Sequence, residues 1–275
     1  MEIIPDLEVS VSYDGPGMAS AFRQDFKGKS TVRKVEGSLA LLDSMQIPFA
    51  VMTVASSATI GHEHDIVDAV AKYRNVHTLK VMPCFDYAVI QSETGAGFRA
   101  PGTVDLLKKS TGSPPWAITP LEYNQIILAC AERWIREGHF SRFILEPFTS
   151  ILASAGGGQG GYTDFSSKKQ PFVVTLSATG TVSTSDEFES DVALIGHVND
   201  LAGTLVDQIR TVPNRLWKDC ESLMQTCSSC SHKDVCHGGG LPDRLAFAPS
   251  RRLSSDYCGA RRDLIDAVLE MASNN

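Results

Sequence analysis

The sequence predicts an α/β fold of parallel strands joined by helical crossovers, followed by a smaller unit organised around cysteines. Three observations carry that prediction. Apolar, β-branched runs alternate with helical periodicity through residues 7–83, a glycine-rich stretch interrupts the chain at 156–161, and four cysteines with metal-ligand spacing lie near the C-terminus.

Leu7 to Tyr13 alternates apolar and polar residues like a strand and ends in the turn Asp14-Gly15-Pro16. Val32, Val35, Leu39, Leu42 and Met45 recur at helical spacing. Pro48 to Ala55 is a run typical of a buried strand, Glu63 to Tyr73 reads as a helix, and His77 to Met82 as another strand. Strands separated by helices pair in parallel, with right-handed crossovers, and three of them cannot close a barrel. After Cys84 a long segment rich in Gly, Ser and Pro runs to Pro114-Pro115 and reads as a loop or lid (85–115). Thr119-Pro120-Leu121-Glu122 is a capping box with proline at the first helical position, opening a helix over 120–138 with Tyr123, Ile127, Cys130 and Trp134 on one face and Gly138 at its end.

Residues 156–161 read as a flexible joint and a domain boundary, dividing the chain into 1–155 and 162–275. Beyond it, Phe172 to Leu176 and Val182 predict a hairpin around Gly180, Leu201 to Ile209 a helix, and Leu264 to Met271 a closing amphipathic helix.

The chain has 275 residues, 43% apolar and 21% charged, enough to bury a core in one or two domains. A net charge of −7 and a pI near 5.5 provide no basic field for phosphate backbones, so nucleic acid is not the expected partner. The N-terminus lacks a basic segment and a long apolar core, and no apolar run reaches 18 residues, which predicts a cytoplasmic protein with no membrane partner. Seven cysteines, four of them grouped, fit a reducing compartment better than a disulfide framework.

Those four, Cys227, Cys230, Cys236 and Cys258, follow the order C-x2-C-x5-C, a 21-residue gap, then Tyr257-Cys258. Four soft sulfurs suit an iron–sulfur cluster or zinc. Spacing alone leaves both open, since zinc bound by such a site contributes roughly 10–16 kcal/mol and could fold a loop-rich segment without any redox role.

The surrounding residues narrow the choice by resemblance. Ser12-Tyr13-Asp14-Gly15-Pro16, with Arg23, Gly28, Val35, Gly37 and Leu41-Leu42 after it, resembles the middle of a radical S-adenosylmethionine (SAM) enzyme's partial (β/α) barrel, where an S-x-D-G-P stretch ends the fourth strand. Cys236-His237-Gly238-Gly239-Gly240, followed by Arg244 and Tyr257-Cys258, resembles the SPASM extension of peptide-modifying members of that family. The resemblance implies a partial radical SAM barrel followed by a small SPASM-like iron–sulfur domain. It implies one auxiliary [4Fe–4S] cluster on Cys227, Cys230, Cys236 and Cys258, with zinc as the alternative. It also implies S-adenosylmethionine contacts at Ser12 and Asp14, and a peptide or protein substrate. Where two-cluster members carry further cysteines this chain has Gly240 and Ser185, so a second auxiliary cluster is not expected.

A C-x3-C-x2-C triad, which that family uses to bind the cluster that cleaves S-adenosylmethionine, does not occur in these residues. The expectation is therefore a truncated or split enzyme, inactive alone, whose missing strands come from a partner subunit; a complete chain would instead have to cap the open edge of the half-barrel itself or dimerise. The competing class is a non-catalytic iron–sulfur or zinc scaffold.

Other motifs read as ordinary structure. His62-Glu63-His64 is a polar helix start, and the match of Gly95-Ala96-Gly97-Phe98-Arg99-Ala100 to a dinucleotide fingerprint is broken by Pro101-Gly102. Asp14 is also readable as a turn residue bonding its own backbone, and Arg244, Arg251, Arg252, Glu187, Glu189 and Asp191 as solvated charges.

Overall fold

The fold is taken from a computed structural model that describes residues 8–86, 114–165, 174–183, 194–200, 225, 227–240, 243 and 257–274. Four strands, β1 (Val9–Ser12), β2 (Phe49–Ala55), β3 (Val76–Pro83) and β4 (Ile144–Glu146), form a parallel sheet in the order β1-β2-β3-β4. The helices α1 (Val32–Ser44), α2 (Glu63–Ala71) and α3 (Pro120–Arg136) connect them in turn, and α4 (Phe148–Ala155) follows β4. The predicted strand–helix alternation is therefore present, with a fourth strand that the pattern did not reveal. Three residues between Phe143 and Pro147 are too few to show a period.

Register decides which side chains share a face. Val11, Val51, Leu79 and Leu145 are aligned across the sheet, and the last three are fully buried in the core. Leu39 of α1, Ile66, Val67 and Val70 of α2, and Ile126, Ile127 and Ala131 of α3 complete that core. One residue further along, Ser12, Met52, Lys80 and Glu146 are aligned on the opposite face, where Met52 and Lys80 are only half-buried. One side of the sheet is thus apolar and closed, while the other carries polar groups among apolar ones.

The capping box at α3 forms as expected. Glu122 N–H donates to Thr119 Oγ1 at 3.2 Å, Thr119 N–H donates to Glu122 at 2.7 Å, and Gly138 ends the run in the left-handed region (φ 70°). Arg133 ties α3 to α2 through two bonds to Asp68, 2.7 and 2.8 Å, which hold that carboxyl below the usual range.

The glycine stretch after α4 is not a loose joint but a bonded turn, with Gly158 N–H donating to Ala153 O at 2.8 Å. Gly160 lies so close to α4 that a Cβ there would sit 2.7 Å from that of Ser150. Further on, β5 (Thr175–Leu176), β6 (Thr181–Ser183) and β7 (Leu194–His197) form an antiparallel sheet, and the predicted hairpin is its first pair. A short helix, α5 (Lys233–Cys236), and a long one, α6 (Tyr257–Ser273), follow. Helix α6 starts seven residues before the predicted Leu264 and packs on α3 and α4, placing Leu264, Ile265 and Val268 in the main core. Phe172, residues 201–209, the fingerprint at 95–100, Ser185, Glu187, Glu189, Asp191, Arg244, Arg251 and Arg252 lie outside the described residues.

Candidate functional site

Parallel strands deliver their C-terminal ends to one rim, the usual place for ligand contacts in α/β folds. Here that rim brings together Ser12 at the end of β1, Asp14 just after it, Ser56 after β2, Cys84 after β3 and Glu146 at the end of β4. Ser12 is exposed. Asp14 is buried and both its oxygens are engaged: Arg23 donates to them at 2.7 and 2.9 Å, and the Val54 amide donates to Oδ1 at 3.0 Å. It bonds across to Val54 of β2 and so fixes the turn that follows Ser12. Cys84 is half-buried close to Asp14, and burial followed by that carboxylate pushes its thiol pKa up to about 11.

Lys80 and Glu146 occupy neighbouring strands at the same level of the rim. The Lys80 ammonium sits 4.9 Å above the Tyr162 ring. Glu146, 8% exposed, accepts from the Ser150 amide at 3.1 Å. Burial raises its pKa, opposed by Ser150 and by the Lys80 charge.

The cysteine segment lies against the same region through α6. Cys227 and Cys230 form a turn closed by Cys230 N–H donating to Cys227 O at 3.0 Å, and Cys236 ends α5, after which His237 and Gly239 take left-handed backbone conformations. Arg261 of α6 organises this region. It is 7% exposed, stacks 3.9 Å from the Phe165 ring, and donates to Asp164 O at 2.8 Å, Cys236 O at 3.2 Å and Cys236 Sγ at 3.2 Å. Burial opposes its charge, but Tyr257, Cys236 and Asp164 outweigh burial and push its pKa up. Tyr257 in turn donates to Asp243 at 3.0 Å. Gly239 and Gly240 are required here because a Cβ at Gly239 would sit 2.5 Å from the Tyr257 hydroxyl, and one at Gly240 would sit 2.9 Å from Asp164. A narrow cleft between this cluster and β3 is lined by Phe85, Tyr123, Asn124, Tyr162, Asp243 and Arg261.

The fit of a metal centre follows from these positions. The Cys236 sulfur is turned to the Arg261 guanidinium, and Cys258 is exposed on the first turn of α6. Among the described residues no three His, Cys, Asp or Glu side chains are gathered closely enough to hold one metal ion. Cys227, Cys230, Cys236 and Cys258 are the residues that would hold such a centre.

Sequence reasoning named Ser12, Asp14 and the four cysteines but missed Arg261, Lys80 and Glu146. Arg261 bonds to groups 25 and 97 residues away, a separation no local pattern records. Lys80 lies between Leu79 and Val81 in the sequence, and that alternation is the one local signal that bears on it.

No protein-family model and no curated sequence matches the chain. Solved structures do. Native anSMEcpe with bound AdoMet and Cp18Cys peptide superposes with a TM-score of 0.70 at 16% identity, covering 97% of this chain and 69% of that one. Native anSMEcpe with bound AdoMet and Kp18Cys peptide gives 0.67 at 17% identity, with the same coverage of both chains. At such identity the likeness shows the fold alone, and the chain shares the α/β fold of anSMEcpe over nearly its whole length.

Proposed function

We propose that this chain takes part in radical S-adenosylmethionine chemistry on a peptide or protein side chain. It would contribute the later strands of a partial (β/α) barrel (1–155) and a SPASM-like unit (162–275). The observation that carries the reading is the fold shared with a protein that binds AdoMet and a peptide, taken together with the Ser12–Pro16 and cysteine motifs. The closed outer face and half-polar inner face of the sheet are what a barrel wall requires.

In this reading Ser12 contacts S-adenosylmethionine from the rim, and Asp14 contacts it or, with both oxygens occupied, positions Ser12 through Arg23 and Val54. Cys227, Cys230, Cys236 and Cys258 hold one auxiliary [4Fe–4S] cluster, which when bound supplies an electron relay or a structural staple. Cleavage of S-adenosylmethionine needs a C-x3-C-x2-C triad from a partner segment, because these residues hold none.

A partner-scaffold reading draws support from the edge of the sheet. Among the described residues β1 has no second strand neighbour, and Met18, Phe22 and Phe26 are 66, 48 and 93% exposed shortly after it. Metal analysis after oxygen-free purification tests the cluster assignment. About four irons per chain and a brown colour are expected, lost on alanine substitution of Cys227, Cys230, Cys236 or Cys258 and kept on substitution of Cys130. Colourless protein with one zinc supports the scaffold reading instead, and protein with neither metal removes the cluster assignment.

A further inference from the structure

The chain carries a net charge of −7, yet residues 22–34 hold five cations, Arg23, Lys27, Lys29, Arg33 and Lys34, against one carboxylate, Asp25. Folding gathers them on a hairpin that runs straight into α1: Gln24 and Ser30 bridge antiparallel, and Thr31 N–H donates to Arg23 O at 3.2 Å. The tip is held by its own bonds. Asp25 accepts at one oxygen from the amides of Lys27 and Lys29, both at 2.9 Å, its own amide donates to Lys29 O at 2.8 Å, and Gly28 makes the turn at φ 73°. Arg23 is bound to Asp14, but Lys27, Lys29, Arg33 and Lys34 are exposed, and among the described residues none of the four has a carboxylate within ion-pair distance. Four unpaired cations thus occupy eight consecutive residues. Apolar surface stands beside them: Phe22 is 48% and Phe26 93% exposed, and the Lys27 ammonium lies 5.3 Å from the Phe26 ring. Helix stability does not account for Arg33 and Lys34, since the first turn of α1 holds no acid and the helix dipole disfavours cations there.

We propose that this hairpin, with the first turn of α1, docks an acidic segment of a separate polypeptide that also carries an aromatic side chain. Its carboxylates meet Lys27, Lys29, Arg33 and Lys34, and its ring covers Phe22 and Phe26. At physiological salt a charge acts over roughly 8 Å, so a short peptide responds to the hairpin alone. An anionic membrane or a nucleic acid is extended, and would also meet the acidic remainder of a chain whose net charge is −7. Because the tip is fixed by backbone bonds, binding has little left to order there. The assignment deepens the partner reading above, and takes from it only that the partner is a protein.

The test follows the fluorescence anisotropy of a labelled hexapeptide, Asp-Glu-Phe-Glu-Asp-Phe, titrated with the full chain. Separate arms use its neutral counterpart Asn-Gln-Phe-Gln-Asn-Phe, phosphatidylserine vesicles and a single-stranded RNA. Saturable binding of the acidic peptide is expected, weakened about tenfold or more by Lys27→Glu combined with Lys29→Glu, and by raising the salt from about 0.05 to about 0.5 M. Phe26→Ser should weaken it severalfold with the salt dependence unchanged. These side chains are exposed and their replacement leaves the backbone bonds of the tip in place. The charge-reversed protein should gain binding to Lys-Lys-Phe-Lys-Lys-Phe, which also shows that it is folded. No binding of the acidic peptide, equal binding of the neutral one, undiminished binding by the charge-reversed protein, or binding confined to vesicles or RNA would overturn the assignment. The measurement needs no metal. Peptide binding by iron-free protein would uphold the docking surface while the cluster assignment falls, and iron-loaded protein that ignores the peptide would do the opposite.

Discussion

Replacing Arg261 with methionine tests whether this side chain holds the cysteine segment and the C-terminal helix onto the sheet domain. The substitution keeps an unbranched stem of similar reach and deletes the guanidinium. Lost with it are the bonds to Asp164 O (2.8 Å) and to Cys236 O and Sγ (both 3.2 Å), together with the stacking 3.9 Å from Phe165. A hydrogen bond from a charged donor contributes about 1.5–3 kcal/mol, and a desolvated cation–π contact about 2 kcal/mol. Against these stands the desolvation of a cation that is only 7% exposed, which disappears when the charge does. Because the partners overlap and partly relax, we expect a net loss of about 3 kcal/mol, with Arg261→Lys losing about half of that. Lysine can reach one carbonyl but cannot lay a planar fork on the Phe165 ring. Urea unfolding followed by tryptophan fluorescence reads the loss, and hydrogen exchange of α6 locates it. An Arg261→Met protein within about 0.5 kcal/mol of the parent, the range of an inconsequential surface change, would refute the role given to Arg261.

Two further outcomes follow from the geometry. Gly160→Ala forces a Cβ to within 2.7 Å of the Ser150 Cβ and 3.0 Å of its carbonyl oxygen, so about 1–3 kcal/mol of stability should be lost. Gly157→Ala, where φ is +76° but nothing lies within 4 Å, should lose about 1 kcal/mol; equal effects in the two variants would show that the turn does not pack on α4. At Cys84 the folded thiol titrates at about 11, above its ordinary 9.0, so the native state holds its proton more tightly than the unfolded chain does. That contribution is complete below pH 9 and lost as pH rises towards 11. Alkylation of Cys84 at pH 8 should accordingly be much slower than in urea-unfolded protein and should accelerate up to that range. An unfolded-like rate at pH 8 would contradict it.

How much of this was legible in the sequence depended on the range of the interactions. The first three strands and α1 to α3 could be read because periodicity and the Thr119–Glu122 capping box are local signals. Strand β4 could not, because three residues carry no period and its partner β3 lies some sixty positions earlier. Asp14 was recognisable as a strand-end residue. Its partners were not, since Val54 is 40 residues away and Arg23 is one of several nearby cations. The cysteine quartet was conspicuous as spacing, yet spacing says nothing of where a sulfur points, and Cys236 points to Arg261. The closing helix was anticipated too short because Tyr257-Cys258 was read as part of the ligand motif rather than as its first turn.

The rim and the cysteine segment meet at one short turn. Residues Thr163–Phe165 and the preceding Tyr162 present the ring beneath the Lys80 ammonium, the carbonyl that anchors Arg261, and the Phe165 ring on which Arg261 stacks. Tyr162 N–H is itself fixed by the Ser150 hydroxyl at 2.8 Å, on the residue whose amide holds Glu146. The Asp164–Phe165 end of the turn is thus tied to Cys236 through Arg261, and its Tyr162 end to Lys80 and, through Ser150, to Glu146. Coupling of this kind needs no long pathway, because the parts are in direct contact. It explains why a buried arginine with no directly bonded carboxylate among the described residues is placed here: its partners are two backbone carbonyls, the Cys236 sulfur and the Tyr257 hydroxyl, groups that join the C-terminal segment to the strand ends.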